Sequence, residues 1–257
     1  MKVVILAGGR GTRLSEETHL RPKPMVEIGG RPILWHIMKI YAAHGLTDFI
    51  LCLGYRGYMI KEYFYNYFLH QADVTIDMAR NTVEYHNSRS EPWRVTLVDT
   101  GESTETGGRV KRIAPYLGND DAFCLTYGDG VANVDITREI AFHHARNVDV
   151  TMTTVRPPAR FGSVAMDNGL VSAFIEKPQA HEGFINGGFF VVSQRALSFI
   201  DGDSTSWEYV SLDRITKAGR LGAFCHEGFW QAMDNIREKE YLEELWQSGR
   251  APWKVWN

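Results

Sequence analysis

A chain of 257 residues, 44% hydrophobic and 23% charged, can bury a large core as one α/β domain or as one domain with an appended lobe. Its formal net charge of −3 supplies no electrostatic footprint for nucleic acid or an anionic membrane, and no apolar run approaches the roughly 18 residues that a membrane span needs. The opening MKVVILAGG is too short for a secretory leader, lacks a small-residue cleavage site and runs straight into glycines, so a cytoplasmic protein is expected.

The first two-thirds of the chain alternate short β-branched runs with helical patterns. That alternation predicts a mainly parallel, Rossmann-like α/β sheet flanked by helices. Val3–Leu6 reads as a strand. Pro32 opens a helix, where its missing N–H costs nothing; Ile33, Leu34, Ile37, Met38 and Tyr41 share one face, and Gly45 closes it. Residues 49–53 form the next strand, and 58–69 an aromatic-rich helix read as core or subunit contact. Residues 73–94 are too long for an ordinary connection. They read as an inserted, antiparallel β excursion with a polar, His-containing loop, serving as a lid or an oligomer contact. Strands follow at 95–98 and 122–126, with a short helix from about Arg109 to Tyr116 between them. Asp135 caps a helix that runs to about Ala145, and Val150–Val155 is the strand after it.

Beyond Pro157 the texture changes. Strands at 163–166, 171–175 and 189–192 crowd together among Gly turns, which predicts antiparallel pairing. A helix near 207–217, a strand at 223–225 and a final helix from Asn235 to about Gln247 complete a single domain spanning 1–257. Cys52, Cys124 and Cys225 lie in apolar runs, and their odd number and wide spacing fit neither a disulfide framework nor a zinc site. All three are expected as small buried core residues in a reducing compartment. His143 and His144 point to different faces of their helix and cannot share a metal. His36 and His70 read as ordinary helix residues. Trp246, Trp253 and Trp256 predict a tail packed on the body or on a neighbouring subunit, and a homo-oligomer is expected.

The chemistry concentrates in Leu6, Ala7, Gly8, Gly9, Arg10, Gly11, Thr12 and Arg13, directly after the first strand. Glycines there let backbone N–H groups approach a polyphosphate or a base edge. No Gly-Lys-Ser/Thr follows, which excludes a Walker A loop, and the dinucleotide GxGxxG pattern fits poorly. Arg13 and Lys23 add positive charge suited to phosphates, with Lys23 held stiffly between Pro22 and Pro24. Asp129 follows a strand's carboxyl end, where ligands bind in open α/β sheets. Asp234 has a similar position near the end of the chain.

LAGGRGTRL followed by RPKPMVEIGGRPIL resembles the signature of the sugar nucleotidyltransferases, also called nucleotide-sugar pyrophosphorylases. The similarity continues through Tyr127-Gly128-Asp129-Gly130, Glu176-Lys177-Pro178, Ile185-Asn186-Gly187-Gly188-Phe189 and the late WQAMD ending at Asp234. It covers almost the whole chain. Within that family, SEETHLRPKPMVEIGG, PILWHIMK, EPWRVTLVDTG, GGRVKR, YGDGVA, INGGFFV and APWKVW resemble the members that take CTP and glucose 1-phosphate. The resemblance implies Arg13, Lys23 and Asp129 as catalytic residues. It implies Mg²⁺ held by Asp129 and Asp234, and nucleotide binding by residues 6–9 and 11–13, Lys23, Thr104, Arg109 and Gly128. Glu176, Lys177, Asn186 and Gly187, in a half starting at about 157, would hold the sugar phosphate. In-line attack by the phosphate oxygen on the α-phosphorus needs no strong general base. The segment Gly101-Glu-Ser-Thr-Glu-Thr-Gly-Gly-Arg109 departs from the GLAQA type of the thymidylyl and uridylyl enzymes. A donor-only arginine matches the adjacent O2 and N3 acceptors of cytosine and leaves an N3–H unmatched, so Arg109 and Thr104 are expected to select CTP. Two alternatives stay open: another nucleotide or sugar phosphate, or a catalytically silent homologue.

Overall fold

A computed structural model describes residues 1–157, 163–167, 170–175 and 183–256; at 163–175, and at Arg13, Ser15 and Glu16, only the backbone is described. Seven strands form the central sheet: β1 (Val3–Leu6), β2 (Asp48–Leu53), β3 (Arg94–Asp99), β4 (Ala122–Tyr127), β5 (Val150–Val155), β6 (Ile185–Ser193) and β7 (Leu221–His226). Their order is β7-β5-β6-β4-β1-β2-β3. The pairs β1–β2, β1–β4, β2–β3 and β5–β7 are parallel, while β6 runs antiparallel to both β4 and β5. The change of texture beyond Pro157 thus has its counterpart in one reversed strand. The hairpins 163–167/170–175 and Asp73–Asp77/Thr82–His86 are separate antiparallel pairs. The second of these falls within residues 73–94, where a β excursion is expected.

The central strands are buried on both faces, as uninterrupted apolar runs such as VVIL and FILCL require. Their side chains alternate between two cores. Val3 and Ile5 point into one with helix α1 (Ile33–Ala43), while Val4 and Leu6 join Val98, Val110, Phe190 and Trp207 in the other. The end of α1 is closed as its glycine suggested. Gly45 has φ 79°, its N–H donates to Ala42 O at 2.9 Å, and Leu46 N–H donates to Tyr41 O at 3.2 Å. Asp135 caps the helix Ile136–Arg146 by accepting from Arg138 N–H at 3.0 Å.

Three expectations need correction. The aromatic helix is two helices, α2 (Gly57–Tyr65) and α3 (Tyr67–Gln71). Asn66 ends the first by donating both its backbone N–H and its side-chain amide to Glu62 O. Three of its six aromatic residues, Tyr58, Tyr65 and Phe68, are exposed and so are not core. The helix expected from about Arg109 begins earlier, at Thr106, and breaks at Ile113; Thr106–Arg112 is α4. Cys225 is exposed, whereas Cys52 and Cys124 are buried. Its strand, β7, is an edge of the sheet with one open side, so an apolar run there does not guarantee burial.

Glu139, on the helix capped by Asp135, is 1% exposed and accepts a hydrogen bond from Thr153 Oγ1 at 2.7 Å. Burial pushes its carboxyl up from 4.5 to about 8, against the opposing pull of that hydrogen bond. The folded chain therefore keeps a proton that the unfolded chain releases, so stability falls as pH rises between those values, by at most ~1.4 kcal/mol per unit. Glu139→Gln removes this slope. The Tm of the variant relative to wild type is expected to climb from pH 5 to pH 8 in calorimetry, and a constant difference would contradict a protonated Glu139.

Candidate active site

In the sheet order β4-β1-β2 the chain leaves β1 toward β2 and later returns to β1's other side as β4. This reversal makes the carboxyl ends of β1 and β4 a topological switch point. Leu6 pairs with Tyr127, and Gly128 N–H donates to Leu6 O at 3.0 Å, so the glycine loop and Asp129 emerge side by side. A cavity of about 500 Å³ opens there. It is lined by residues 6–12, Lys23 and Pro24, residues 102–106 with Arg109, and Tyr127 to Asp129. The structure thus brings together Leu6, Ala7, Gly8, Gly9, Gly11, Thr12, Lys23, Thr104, Arg109, Gly128 and Asp129. The side chain of Arg13, together with Glu176 and Lys177, lies outside the described residues. A second opening, of about 600 Å³, lies at the other end of β4 around Asp120, His143 and Gln194. Its polar groups bond one another: Gln194 donates to Gly118 O and Asp120 O, and His143 bridges Thr151 and Ser193.

Lys23 begins a 3-10 turn after Pro22, whose extended ψ of 146° stops any helix from starting earlier. Its ammonium donates to Asp129 Oδ2 and to Asp234 Oδ1, each at 2.6 Å, with the Lys23 side chain only 9% exposed. Burial alone would lower the pKa of Lys23; the charges and hydrogen bonds of Asp129 and Asp234 outweigh it and raise the pKa above 10.5. The carboxylates meet because Gly130–Ala132 pairs antiparallel with Trp230–Ala232, and Met233 N–H donates to Asp129 O at 2.8 Å. Helix α7 (Ile236–Gln247) begins immediately afterward. Asn235 caps it by accepting from Glu238 N–H, and Glu238 in turn accepts from Asp234 N–H at 2.6 Å, which anchors the aspartate's backbone.

The other end of α7 holds down the segment that carries Lys23. Gly29 N–H donates to Glu243 Oε2 at 2.7 Å, and the Trp246 indole lies where any Cβ on Gly29 would sit. Below it, the buried His36 donates from Nε2 to Ile28 O at 2.8 Å. A carbonyl can only accept, which puts a proton on Nε2, and the Trp253 indole can only donate, so Nδ1 carries no proton and accepts from Trp253 Nε1–H at 3.4 Å. Burial lowers the His36 pKa to about 4, consistent with this neutral form. His36 is therefore no ordinary helix residue. It is the polar centre of an aromatic cluster with Trp35, Trp246, Trp253 and Trp256, through which the tail packs on the body.

Arg109 is 5% exposed. Its Nη1 donates to Thr100 Oγ1 and Gly101 O at 2.8 Å and to Leu53 O at 3.1 Å, and Nη2 donates to Glu102 O at 3.2 Å. The guanidinium lies against Gly8 and Gly54, where a Cβ on either would overlap Nη1. Glycine at position 8 thus serves a second need besides open N–H groups. Arg109 ties together the loops after β1, β2 and β3, a task the sequence did not signal. On the other side of the cavity, Asn186 Nδ2 donates to Tyr127 Oη at 3.3 Å and Asn186 Oδ1 accepts from Gly188 N–H at 2.8 Å. Gly187 O accepts from Trp230 Nε1–H at 2.7 Å. Glu208, which no motif marks, accepts from Tyr127 Oη–H at 2.7 Å and from Thr106 Oγ1–H at 2.6 Å. Arg109→Met should lower stability by about 2–4 kcal/mol in urea unfolding, because three carbonyls lose a charged donor. A residue that serves only to read a base would leave the unfolding curve unchanged.

The family model described as nucleotidyl transferase matches residues 2–231. A glucose-1-phosphate cytidylyltransferase of Salmonella typhi is 58% identical over 256 residues, covering 100% of both chains. A probable glucose-1-phosphate cytidylyltransferase of Bacillus subtilis (strain 168) is 41% identical, also over 100% of each. Among solved structures, HddC from Yersinia pseudotuberculosis superposes with a TM-score of 0.70 at 25% identity, covering 95% of this chain and 99% of that one. With a glycine loop at the sheet's switch point and a buried lysine between two aspartates, this chain belongs to the nucleotidyl transferase family.

Proposed function

We propose that the chain transfers a cytidylyl group from CTP to α-D-glucose 1-phosphate, giving CDP-glucose and pyrophosphate. The observation that carries this reading is the Lys23–Asp129–Asp234 cluster beside a glycine-lined cavity, in a chain with full-length similarity to glucose-1-phosphate cytidylyltransferases. A phosphate oxygen of the sugar phosphate attacks the α-phosphorus of CTP. The bond from that phosphorus to the β-phosphate oxygen breaks, and pyrophosphate leaves with the electron pair. The nucleophile is already an anion, so the residues' work is to bring two anions together and offset the charge that develops.

Backbone N–H groups from Gly8 to Thr12, with Arg13 and Lys23, hold the triphosphate. Glu176, Lys177, Asn186 and Gly187 hold the sugar phosphate. Thr104 and Arg109 select cytosine, and the bonds of Arg109 to backbone carbonyls keep its plane fixed for that purpose. Asp129 and Asp234 already converge on one cation, the Lys23 ammonium, and present only oxygen donors. Two carboxylates of this kind suit Mg²⁺, which completes its shell with water and substrate phosphate. Bound there, Mg²⁺ would neutralise phosphate charge.

The chain acts in the cytoplasm as a homo-oligomer, without nucleic acid or membrane partners. No helix among the described residues is long and apolar enough to cross a membrane. Tyr65 and Phe68, with Ile76, Met78, Val83 and Tyr85 of the inserted hairpin, form a group of exposed large hydrophobic residues that supports contact with a second copy.

Pyrophosphate release is to be measured with glucose 1-phosphate, Mg²⁺ and each nucleoside triphosphate in turn. Release with CTP alone is expected, whereas release with another nucleotide would reassign the base, and no release with any would indicate a silent homologue. Lys23→Met should lower kcat/KM at least about 100-fold. Light scattering is expected to give a mass above 29.2 kDa, and Met78→Asp with Val83→Asp to reduce it; a wild-type monomer would refute the contact.

A further inference from the structure

We infer that Glu208 is a positioning residue, which fixes the hydrogen-bond direction of the Tyr127–Asn186 pair and thereby sets the sugar side of the site. The inference rests on the reading that Asn186 contacts the sugar phosphate. Glu208 lies on the π-helical turn Trp207–Ser211, a backbone form that is rare and concentrated at functional sites. Ser206 caps the turn by accepting from Tyr209 N–H at 3.2 Å, and its hydroxyl donates to Glu208 Oε2 at 3.0 Å. Thr106 donates to the same oxygen at 2.6 Å while accepting from Trp207 N–H at 2.9 Å. One oxygen of the carboxylate is thus held by α4 and by the turn itself. The other, Oε1, accepts from Tyr127 at 2.7 Å.

Direction follows from charge. An ionised carboxylate only accepts, so the Tyr127 hydroxyl must donate its one proton to Glu208. Burial, followed by the charge and hydrogen bond of Glu208, holds the Tyr127 phenol well above its ordinary pKa and keeps that proton in place. The phenolic oxygen can then only accept from Asn186, and it receives Nδ2–H at 3.3 Å. The amide carbonyl is left to Gly188 N–H, which it accepts at 2.8 Å. Every link therefore points one way, from Asn186 through Tyr127 to Glu208, and the amide of Asn186 has a single orientation. Tyr127 and Thr106 both line the cavity. A side chain that is itself no member of the predicted site so connects its two halves.

A neutral amide at position 208 can donate to Tyr127 and release its proton, which removes the directional constraint. Glu208→Gln, Tyr127→Phe and the double variant are to be compared with wild type in steady-state kinetics and thermal unfolding. Each single variant should raise KM for the sugar phosphate about tenfold, the worth of one hydrogen bond, with KM for the nucleotide within about twofold of wild type. The double variant should be no worse than the weaker single one, since both act through one chain of bonds. Additive losses, an equal rise in both KM values, or an unchanged sugar-phosphate KM would overturn the inference. Should Glu208→Gln not fold, Tyr127→Phe, which removes only a hydroxyl, carries the same comparison. The variants are assayed with whichever nucleotide and sugar phosphate the wild type turns over best. A wild type that prefers other substrates refutes the proposed reaction, and the variants still decide the role of Glu208.

Discussion

A buried ammonium held between two carboxylates is the constraint around which the rest of this molecule is arranged. Lys23 is removed from water, which for an unpaired charge costs several kcal/mol. Asp129 and Asp234 would repel each other at the same spacing without it. The buried lysine is compensated by both carboxylates, and three separate parts of the chain must place the three groups. A 3-10 turn after Pro22 delivers the lysine, the end of β4 one aspartate, and the approach to α7 the other. The small ribbon of Gly130–Ala132 with Trp230–Ala232 sets their separation, and Glu243, Trp246 and His36 fix the lysine's segment from behind.

The cavity beside this triad is built in two contrasting ways. One side is a glycine loop leaving the switch point, where Gly8, Gly9 and Gly11 line the cavity with backbone alone. Arg109 lies against that loop at Gly8 and donates to three carbonyls, of Leu53, Gly101 and Glu102, in two neighbouring segments. The other side is a chain of side-chain hydrogen bonds running from β6 to α4 through Tyr127 and Glu208. Backbone offers donors whose positions the fold itself determines. Side-chain chains offer orientation, and depend on the charge state of their last member.

Much of this is legible in the sequence. Gly-rich sequence after a β-branched run, a lysine between prolines, and alternating strand and helix patterns are local signals, and they led to the parallel sheet, the cavity and the lysine. The aspartate pair was legible through family resemblance, since nothing local ties Asp129 to Asp234. What escaped depends on long-range geometry. Glu208 lies in an unremarkable WEYVS segment whose π turn only the packing of Trp207 and α4 explains. Arg109 was read as a base-selecting group because its chemistry suits cytosine; that its donors reach Leu53 and Gly101 depends on how three loops meet. Cys225 illustrates the same limit, because an apolar run does not say whether its strand ends up at an edge.

Of the three residues that meet in this cluster, Lys23 and Asp234 stand 211 positions apart. During synthesis the glycine loop and its lysine leave the ribosome long before the second carboxylate. A nascent or truncated chain lacking position 234 therefore leaves the Lys23 ammonium with one of these two carboxylates. The tryptophans that hold the lysine's segment down arrive later still.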